Sequence, residues 1–224
     1  MATPLTIERV GRVGSTQDEA RIRYRGDPLL VSATGQDTGR GRSGAEWIDA
    51  DRSLAASLAF EPLWPPQAMP KIPLVAGLAL TDLLPDVVRL KWPNDIVSGD
   101  LKVGGILTEA IDGLVVVGLG LNIYWNSPPE GIGAVHASDP GEEHPHRVAE
   151  RWAEVFLQRI ESGPTAWGRA EYLARCRTIG RSIEWDPGGS GVAIGIGDDG
   201  ELLVDSQGGE VVLYAGAVRD VRPV

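Results

Sequence analysis

With 224 residues, an ordinary globular composition and a net charge of −10, the chain has room for one sizeable core and a small appended module, and its charge argues against a general nucleic-acid or anionic-membrane surface. A single cysteine, Cys176, excludes an intrachain disulfide framework and suits a reducing compartment. The N-terminus lacks a signal-peptide pattern, and the longest apolar runs are short and broken by glycine, so a soluble, cytoplasmic protein is expected.

Leu5 to Val10 is predicted as the first strand. Thr16 and Glu19 have the capping-box spacing that opens a helix to about Arg25, which by itself gives Ser15 and Thr16 a role as helix caps. Leu29-Leu30-Val31 is a buried-strand run that ends in a loop from Ser32 to Trp47. Gly39, Gly41 and Gly44 have the spacing G-x-G-x-x-G, but Trp47 to Asp51 lacks the helical stripe that a dinucleotide fingerprint needs directly behind it. The loop instead reads as mobile. Its glycines permit close backbone approach, Arg40 and Arg42 bring permanently charged donors to an anion, and Trp47 offers a flat apolar face.

Leu54 to Phe60 reads as a strand and Lys71 to Leu84 as a buried helix. Val87 to Leu90 begins another strand, whose pairing should end at Trp92 because Pro93 offers no backbone donor; Asn94 and Asp95 are thereby presented at a strand end. Ile96-Val97 resumes, Ser98-Gly99-Asp100 turns the chain, and Leu101 to Ala110 returns as a strand that Gly104-Gly105 is expected to interrupt for the close approach of a ligand or another backbone. Lys91 and Lys102 flank this region. A lysine beside a glycine step suits a phosphate or carboxylate, because the compact ammonium and exposed backbone donors reach the same anion.

Asp112-Gly113 signals a hairpin into a strand from Leu114 to Ile123. His146 to Ile160 and Thr165 to Arg177 have amphipathic helical spacing. Composition changes near Ile179-Gly180, after which short apolar runs alternate with glycine-rich turns in the rhythm of a small β-barrel; units of 1–178 and 179–224 are expected. His136, His144 and His146 surround a polar loop without zinc-ligand spacing, so no protein metal site is expected.

Four segments together resemble the biotin protein ligase family: Gly14-Ser15-Thr16; Gln36 with Gly39-Arg40-Gly41-Arg42-x-Gly44-x-x-Trp47; Lys91-Trp92-Pro93-Asn94-Asp95 with Lys102-x-Gly104-Gly105-Ile106-Leu107; and Gly118-Leu119-Gly120-Leu121-Asn122. The resemblance implies an α+β catalytic domain of the class II aminoacyl-tRNA-synthetase-like kind, a mixed sheet with flanking helices, followed by a small SH3-like β-barrel. It implies formation of biotinyl-5′-AMP from biotin and ATP, then transfer of biotin to a lysine of a biotin carboxyl carrier domain of an acyl-CoA carboxylase.

By the same resemblance, Ser15, Thr16, Gln36, Gly39 and Arg40 hold biotin together with Gly104, Gly105 and Lys102. Arg42, Trp47, Asn94, Asp95, Lys102, Asn122 and Arg219 serve ATP. Lys102, Arg40, Arg42 and Asp95 carry the chemistry, with Lys102 bonding both the biotin carboxylate and the α-phosphate, and Asp95 as base or orienting group. Magnesium arrives with the ATP phosphates and water.

The chain departs from the family pattern at Gln17, where Asn is usual, at Ala45, where a third loop arginine is usual, and at Asp49-Ala50-Asp51-Arg52, which replaces a Pro-Gly stretch. Those departures motivate one competing reading, a biotin- or adenylate-binding paralogue with weak ligation; the related lipoate ligase is the other. The catalytic segment begins within about fifteen residues of Met1, which leaves no room for the winged helix of family repressors, and DNA binding is not expected.

Overall fold

In chain order the elements are β1 (Thr6–Val13), α1 (Thr16–Arg23), β2 (Leu29–Gln36), β3 (Arg52–Phe60), α2 (Ile72–Thr81), β4 (Val88–Lys91), β5 (Asp95–Ser98), β6 (Leu101–Ile111), β7 (Leu114–Tyr124), α3 (Glu143–Glu161), α4 (Arg169–Arg175) and five short strands, β8 (Ser182–Trp185), β9 (Gly189–Ile196), β10 (Leu202–Ser206), β11 (Gly209–Leu213) and β12 (Val218–Asp220). The structure, a computed structural model, describes residues 4–214 and 218–220, including all of their side chains except those of Ser43 and 218–220.

β1 to β7 form one mixed sheet in the order β1-β2-β3-β7-β6-β5-β4, in which β1 and β2 are parallel across the α1 crossover and the other neighbours antiparallel. The alternation of a strand sends successive side chains to opposite faces. Leu30, Leu54, Leu58, Val117 and Leu119 therefore point into the large core completed by α2 and α3, whereas Val31, Ala59 and Val116 pack with Ala20 of α1 on the other face. β8 to β12 form a second, antiparallel sheet in the order β11-β10-β9-β8-β12. Its residues Ile183, Ala193, Ile196, Leu202 and Val204 continue the large core.

Several expectations change at the element ends. The capping box does not form: Ser15 occupies the cap position of α1 without a side-chain cap bond. Thr16 instead spends its hydroxyl on Gln36 Oε1 (3.0 Å) and Ser57 Oγ (2.8 Å), tertiary partners that outcompete the local one. β2 runs on to Gln36. The helix expected over 71–84 forms as α2, Ile72–Thr81, with Pro73 tolerated in its first turn, and a separate 3₁₀ stretch, Pro66–Lys71, leads into it. The helix expected over 165–177 shortens to Arg169–Arg175, since Gly168 enters the left-handed region (φ 92°) just before it. Asp112 (φ 51°) and Gly113 (φ 90°) make the expected β6–β7 hairpin turn.

Trp92 belongs to this packing and not to a surface corner. It is 2% exposed, its Nε1 donates to the Gly200 carbonyl (2.9 Å), and its backbone N–H donates to Thr178 Oγ1 (2.9 Å). Trp167 Nε1 and Lys71 Nζ meet the Asp198 carbonyl in the same β9–β10 turn. The turn is thereby tied to the first sheet by donors that are themselves buried or nearly so.

Buried polar groups also set a pH dependence. His146 of α3 lies buried with Nδ1 2.6 Å from Ser32 Oγ on β2. Burial pushes its pKa below the usual histidine value, Arg9 adds to the shift, and Glu143 and Glu150 oppose it. The folded state thus keeps the ring neutral at pH values where the unfolded chain protonates it. Stability is therefore expected to be complete above about pH 6.5 and to fall as the pH drops toward the folded value. Urea midpoints at pH 7.5 and 5 should diverge less for His146→Gln than for the unaltered chain; an unchanged difference would remove His146 from the effect.

Candidate functional site

On the face of the sheet covered by α1, strand register lines up small residues. Gly105 of β6 lies opposite Gly120 of β7, which lies opposite Ala55 of β3; in the next row Leu107, Gly118 and Ser57 align. The missing side chains leave a trough, and two large side chains descend into it. A Cβ on Gly120 would stand 2.9 Å from the Trp47 ring, and one on Gly118 would stand 2.9 Å from Gln17 Oε1. What remains is a cavity of about 180 Å³ walled by Ser15, Thr16, Gln17, Gln36, Arg40, Arg42, Trp47, Asn94, Asp95, Lys102 and Gly105 among others.

Lys102 reaches this face through a β-bulge. Opposite β5, Ile96 pairs with Gly104 but Val97 pairs with Lys102, so Val103 is an extra residue in β6. Without it, Lys102 and Gly105, three apart, would face opposite sides. With it, the Lys102 ammonium lies over Gly105, where a Cβ would be 3.7 Å from Nζ. Asp95, opposite Gly105 in register, binds the ammonium (Oδ1–Nζ 2.6 Å). The other backbone edge of Lys102 bonds to Gly131 and Gly133, which fixes the strand that carries it.

The Gly39–Trp47 loop, read from the sequence as mobile, carries its own ladder. Trp47 N–H bonds to the Gly39 carbonyl (2.9 Å), Gly41 N–H to that of Ala45 (2.6 Å), and a 3₁₀ turn, Arg42–Gly44, forms the tip. A Cβ at Gly39 would crowd Trp47 (3.1 Å) and Gln36 Nε2 (3.0 Å), so the glycine lets both pack close to the strand end. Arg42 donates to Asn94 Oδ1 (2.9 Å), while Asn94 Nδ2 donates to the Ile106 carbonyl (3.0 Å), so loop and strand end hold each other. Arg40 grips Asp18 of α1 with two bonds (2.8 and 3.0 Å). That pairing lowers the Asp18 pKa, the hydrogen bond from Arg40 being the largest cause.

At the other end of the cavity the polar groups are neutral. Gln36 Oε1 accepts from Thr16 N–H (2.8 Å) as well as from its hydroxyl, and Gln36 N–H is held by Asp49 Oδ2 (2.8 Å). Ser15 Oγ, Gln17 Oε1 and Trp47 Nε1 are buried without a hydrogen-bond partner. The cavity thus joins a wall of neutral polar residues to one carrying Lys102 and Arg42. A neutral polar ring ending in a carboxylate, next to a phosphate, matches that layout.

Gly39, Gly104 and Asn122 are expected site residues that do not line the cavity; Gly39 is taken up by packing against Trp47 and Gln36. Gly104 is buried on the opposite face; a Cβ would meet the Gly120 carbonyl oxygen at 2.7 Å and Leu121 at 2.8 Å, so strand packing explains this glycine, which stays paired in β6 next to the bulge at Val103. Asn122 is buried outside the cavity wall, its Nδ2 donating to the Gly133 carbonyl (2.9 Å) and its Oδ1 without a partner. Arg219 lies on β12 opposite Glu184, and its side chain is outside the described residues. Lys91 pairs with Asp95 through the backbone and does not line the cavity. Ser57, Gly118 and Gly120 received no individual role from sequence, although Gly118 and Gly120, two apart in an apolar strand, signal a face kept open. Among the described residues no group of three or more His, Cys, Asp or Glu is placed to hold a metal ion, and no helix is long and apolar enough to cross a membrane.

A family model described as the biotin/lipoate A/B protein ligase family matches residues 10–123. A biotin–[acetyl-CoA-carboxylase] ligase of Mycobacterium tuberculosis is 32% identical, the match covering 96% of this chain and 89% of that one. A protein of the same name from Paracoccus denitrificans is 31% identical over 93% of this chain and 98% of its own. The solved structure of biotin protein ligase from Aquifex aeolicus in complex with biotin and ATP is similar with a TM-score of 0.81 at 22% identity, covering 97% of this chain and 99% of that one, a likeness of fold.

Proposed function

This chain belongs to the biotin/lipoate A/B protein ligase family, and from that premise we propose that it is an ATP-dependent biotin protein ligase of the biotin–[acetyl-CoA-carboxylase] type. The observation that carries the reading is one cavity walled on one side by the neutral polar residues Ser15, Thr16 and Gln36 and on another by Lys102 and Arg42. Biotin fits it by chemistry, with a urea ring for the neutral end and a carboxylate for Lys102.

In the first step a carboxylate oxygen of biotin attacks the α-phosphorus of ATP, the bond to the bridging oxygen breaks, and pyrophosphate leaves. Charge grows on the phosphorus oxygens, and Lys102 and Arg42 neutralise it without a proton transfer. Magnesium accompanies ATP as its counter-ion, held by phosphates and water. In the second step a carrier lysine amine attacks the acyl carbon of biotinyl-5′-AMP and AMP leaves. Asp95, already bonded to Lys102, orients that ammonium and is the cavity-wall carboxylate that we assign to receive the amine proton. Trp47 and Asn94 border the nucleotide, with Asn122 and Arg219 as further contributors. We assign β8 to β12 as the SH3-like module, with the unit boundary near 178–179, a biotin carboxyl carrier domain as partner and the cytoplasm as the place of action.

The deciding experiment is mass spectrometry of a purified biotin carrier domain after incubation with this protein, biotin, ATP and magnesium. An ATP-dependent gain of one biotinyl group is expected. An unmodified carrier despite tight biotin binding would mean a binding protein, and a gain of lipoate in a parallel reaction would mean the wrong acyl group.

Arg42 should also act after the first step. With Arg42→Ala, release of biotinyl-5′-AMP is expected to accelerate about tenfold while biotin affinity changes less than about twofold, the loss of one charged hydrogen bond to the phosphate. Stopped-flow release measurements showing no acceleration would remove Arg42 from that role.

A further inference from the structure

We propose that Asp18 is a positioning residue: through its paired hydrogen bonds to Arg40 it clasps the Gly39–Trp47 loop to α1 and thereby governs how long biotinyl-5′-AMP is retained, the second half resting on the ligase reading above. The two arginines of the loop differ in what they meet. Arg42 donates to Asn94 Oδ1 (2.9 Å), a neutral partner with no charge to cancel its own. Arg40 instead places both terminal nitrogens on the Asp18 carboxylate, Nη1 on Oδ2 (2.8 Å) and Nη2 on Oδ1 (3.0 Å), and Nη2 also lies 3.8 Å from Glu109 Oε1 of β6. The Arg40 charge is therefore answered within the protein, by a fork geometry that fixes direction as well as distance.

Asp18 projects from the first turn of α1 and accepts a further bond from Arg21 (2.6 Å) in the next turn, so the helix itself holds the carboxylate in place for Arg40. Asp18 does not line the cavity and acts through Arg40, which does. The loop's own ladder joins its two arms to each other, and Trp47 seats its base against Gly120. The arginines tie its sides, Arg40 to α1 and Arg42 to Asn94. Residues of α1 and Asn94 both contribute to the cavity wall, so a loop tied to each of them bridges it. The Arg40 and Asp18 side chains remain 38% and 34% exposed, and this tie opens without disturbing the core. Its strength is accordingly that of a well-formed but solvated ion pair.

The test joins hydrogen exchange to single-turnover kinetics on the intact protein, comparing the unaltered chain with Asp18→Asn, Arg40→Gln, the double variant and Asp18→Glu. Without ligand, peptides spanning Gly39 to Trp47 should exchange about fivefold faster in each of the first two variants, and the double variant should be no faster than either. An acidic side chain in the first turn also favours α1 through the helix dipole, but that contribution is the same with or without Arg40 and cancels in the cycle. Release of biotinyl-5′-AMP should quicken by a similar factor in Asp18→Asn, and Asp18→Glu, which keeps the carboxylate, should recover part of both effects. Unchanged loop exchange in a folded variant, or effects that simply add, overturns the clasp. Faster exchange with unchanged release overturns the role of Asp18 in the reaction. Failure of the unaltered protein to form biotinyl-5′-AMP overturns the ligase reading instead, and the exchange measurement still decides the clasp.

Discussion

Lys102→Ala is expected to reduce biotinyl-5′-AMP formation by on the order of 10³-fold while leaving the thermal transition nearly unchanged. The side chain is partly exposed at the cavity mouth and bonded to Asp95, so truncation opens no core cavity. What disappears is the cation over Gly105, at the point where a carboxylate and a phosphate are brought together against their own repulsion. Arg42 contributes its charge from the loop side, bonded to Asn94 Oδ1, and does not take the place of Lys102 over Gly105. The measurement is pyrophosphate release with biotin and ATP, alongside a melting curve. Near-normal release from a folded variant would remove Lys102 from the mechanism. Lys102→Arg is expected to recover little, because the planar guanidinium does not fit as a compact point charge over a glycine.

Trp92→Ala should have the largest effect on stability, about 3–5 kcal/mol, or a fall of roughly 10 °C in Tm. The indole is fully enclosed, and its loss leaves a cavity and strips the Gly200 carbonyl of its donor. Because that bond joins β4 and β5 to the β9–β10 turn, the damage should reach the second sheet. Trp92→Phe keeps most of the apolar volume and should lose markedly less. Equal stability of the alanine variant in urea titration would mean that Trp92 is not an anchor between the sheets.

The segment Lys91 to Asp95 illustrates the division between what the chain announces and what it conceals. Its residue types are unusual enough to mark a site, but Trp92 serves the core, Lys91 lies outside the cavity, and Asn94 and Asp95 alone face it. Neighbours in a strand point to opposite faces, so a contiguous motif necessarily mixes site and packing residues. Gly104 and Gly105 divide in the same way, one required by the Gly120 carbonyl and one left open beneath Lys102.

From sequence alone came the succession of most strands and helices, the β6–β7 hairpin turn, the run of short strands at the end of the chain and two separate anion-binding stretches, one at Lys102 and one at Arg40 and Arg42, which only the family resemblance joined into one site. These depend on local periodicity, turn chemistry and residue types that the chain carries wherever it folds. The tertiary structure decided the rest. It gave the Thr16 hydroxyl to Gln36 and Ser57 instead of a helix cap, turned Lys102 onto the site face by one extra residue in β6, and set Gln17 over Gly118. Each of these depends on which strand lies beside which and in what register, a property of contacts between residues far apart in the chain that no local pattern contains.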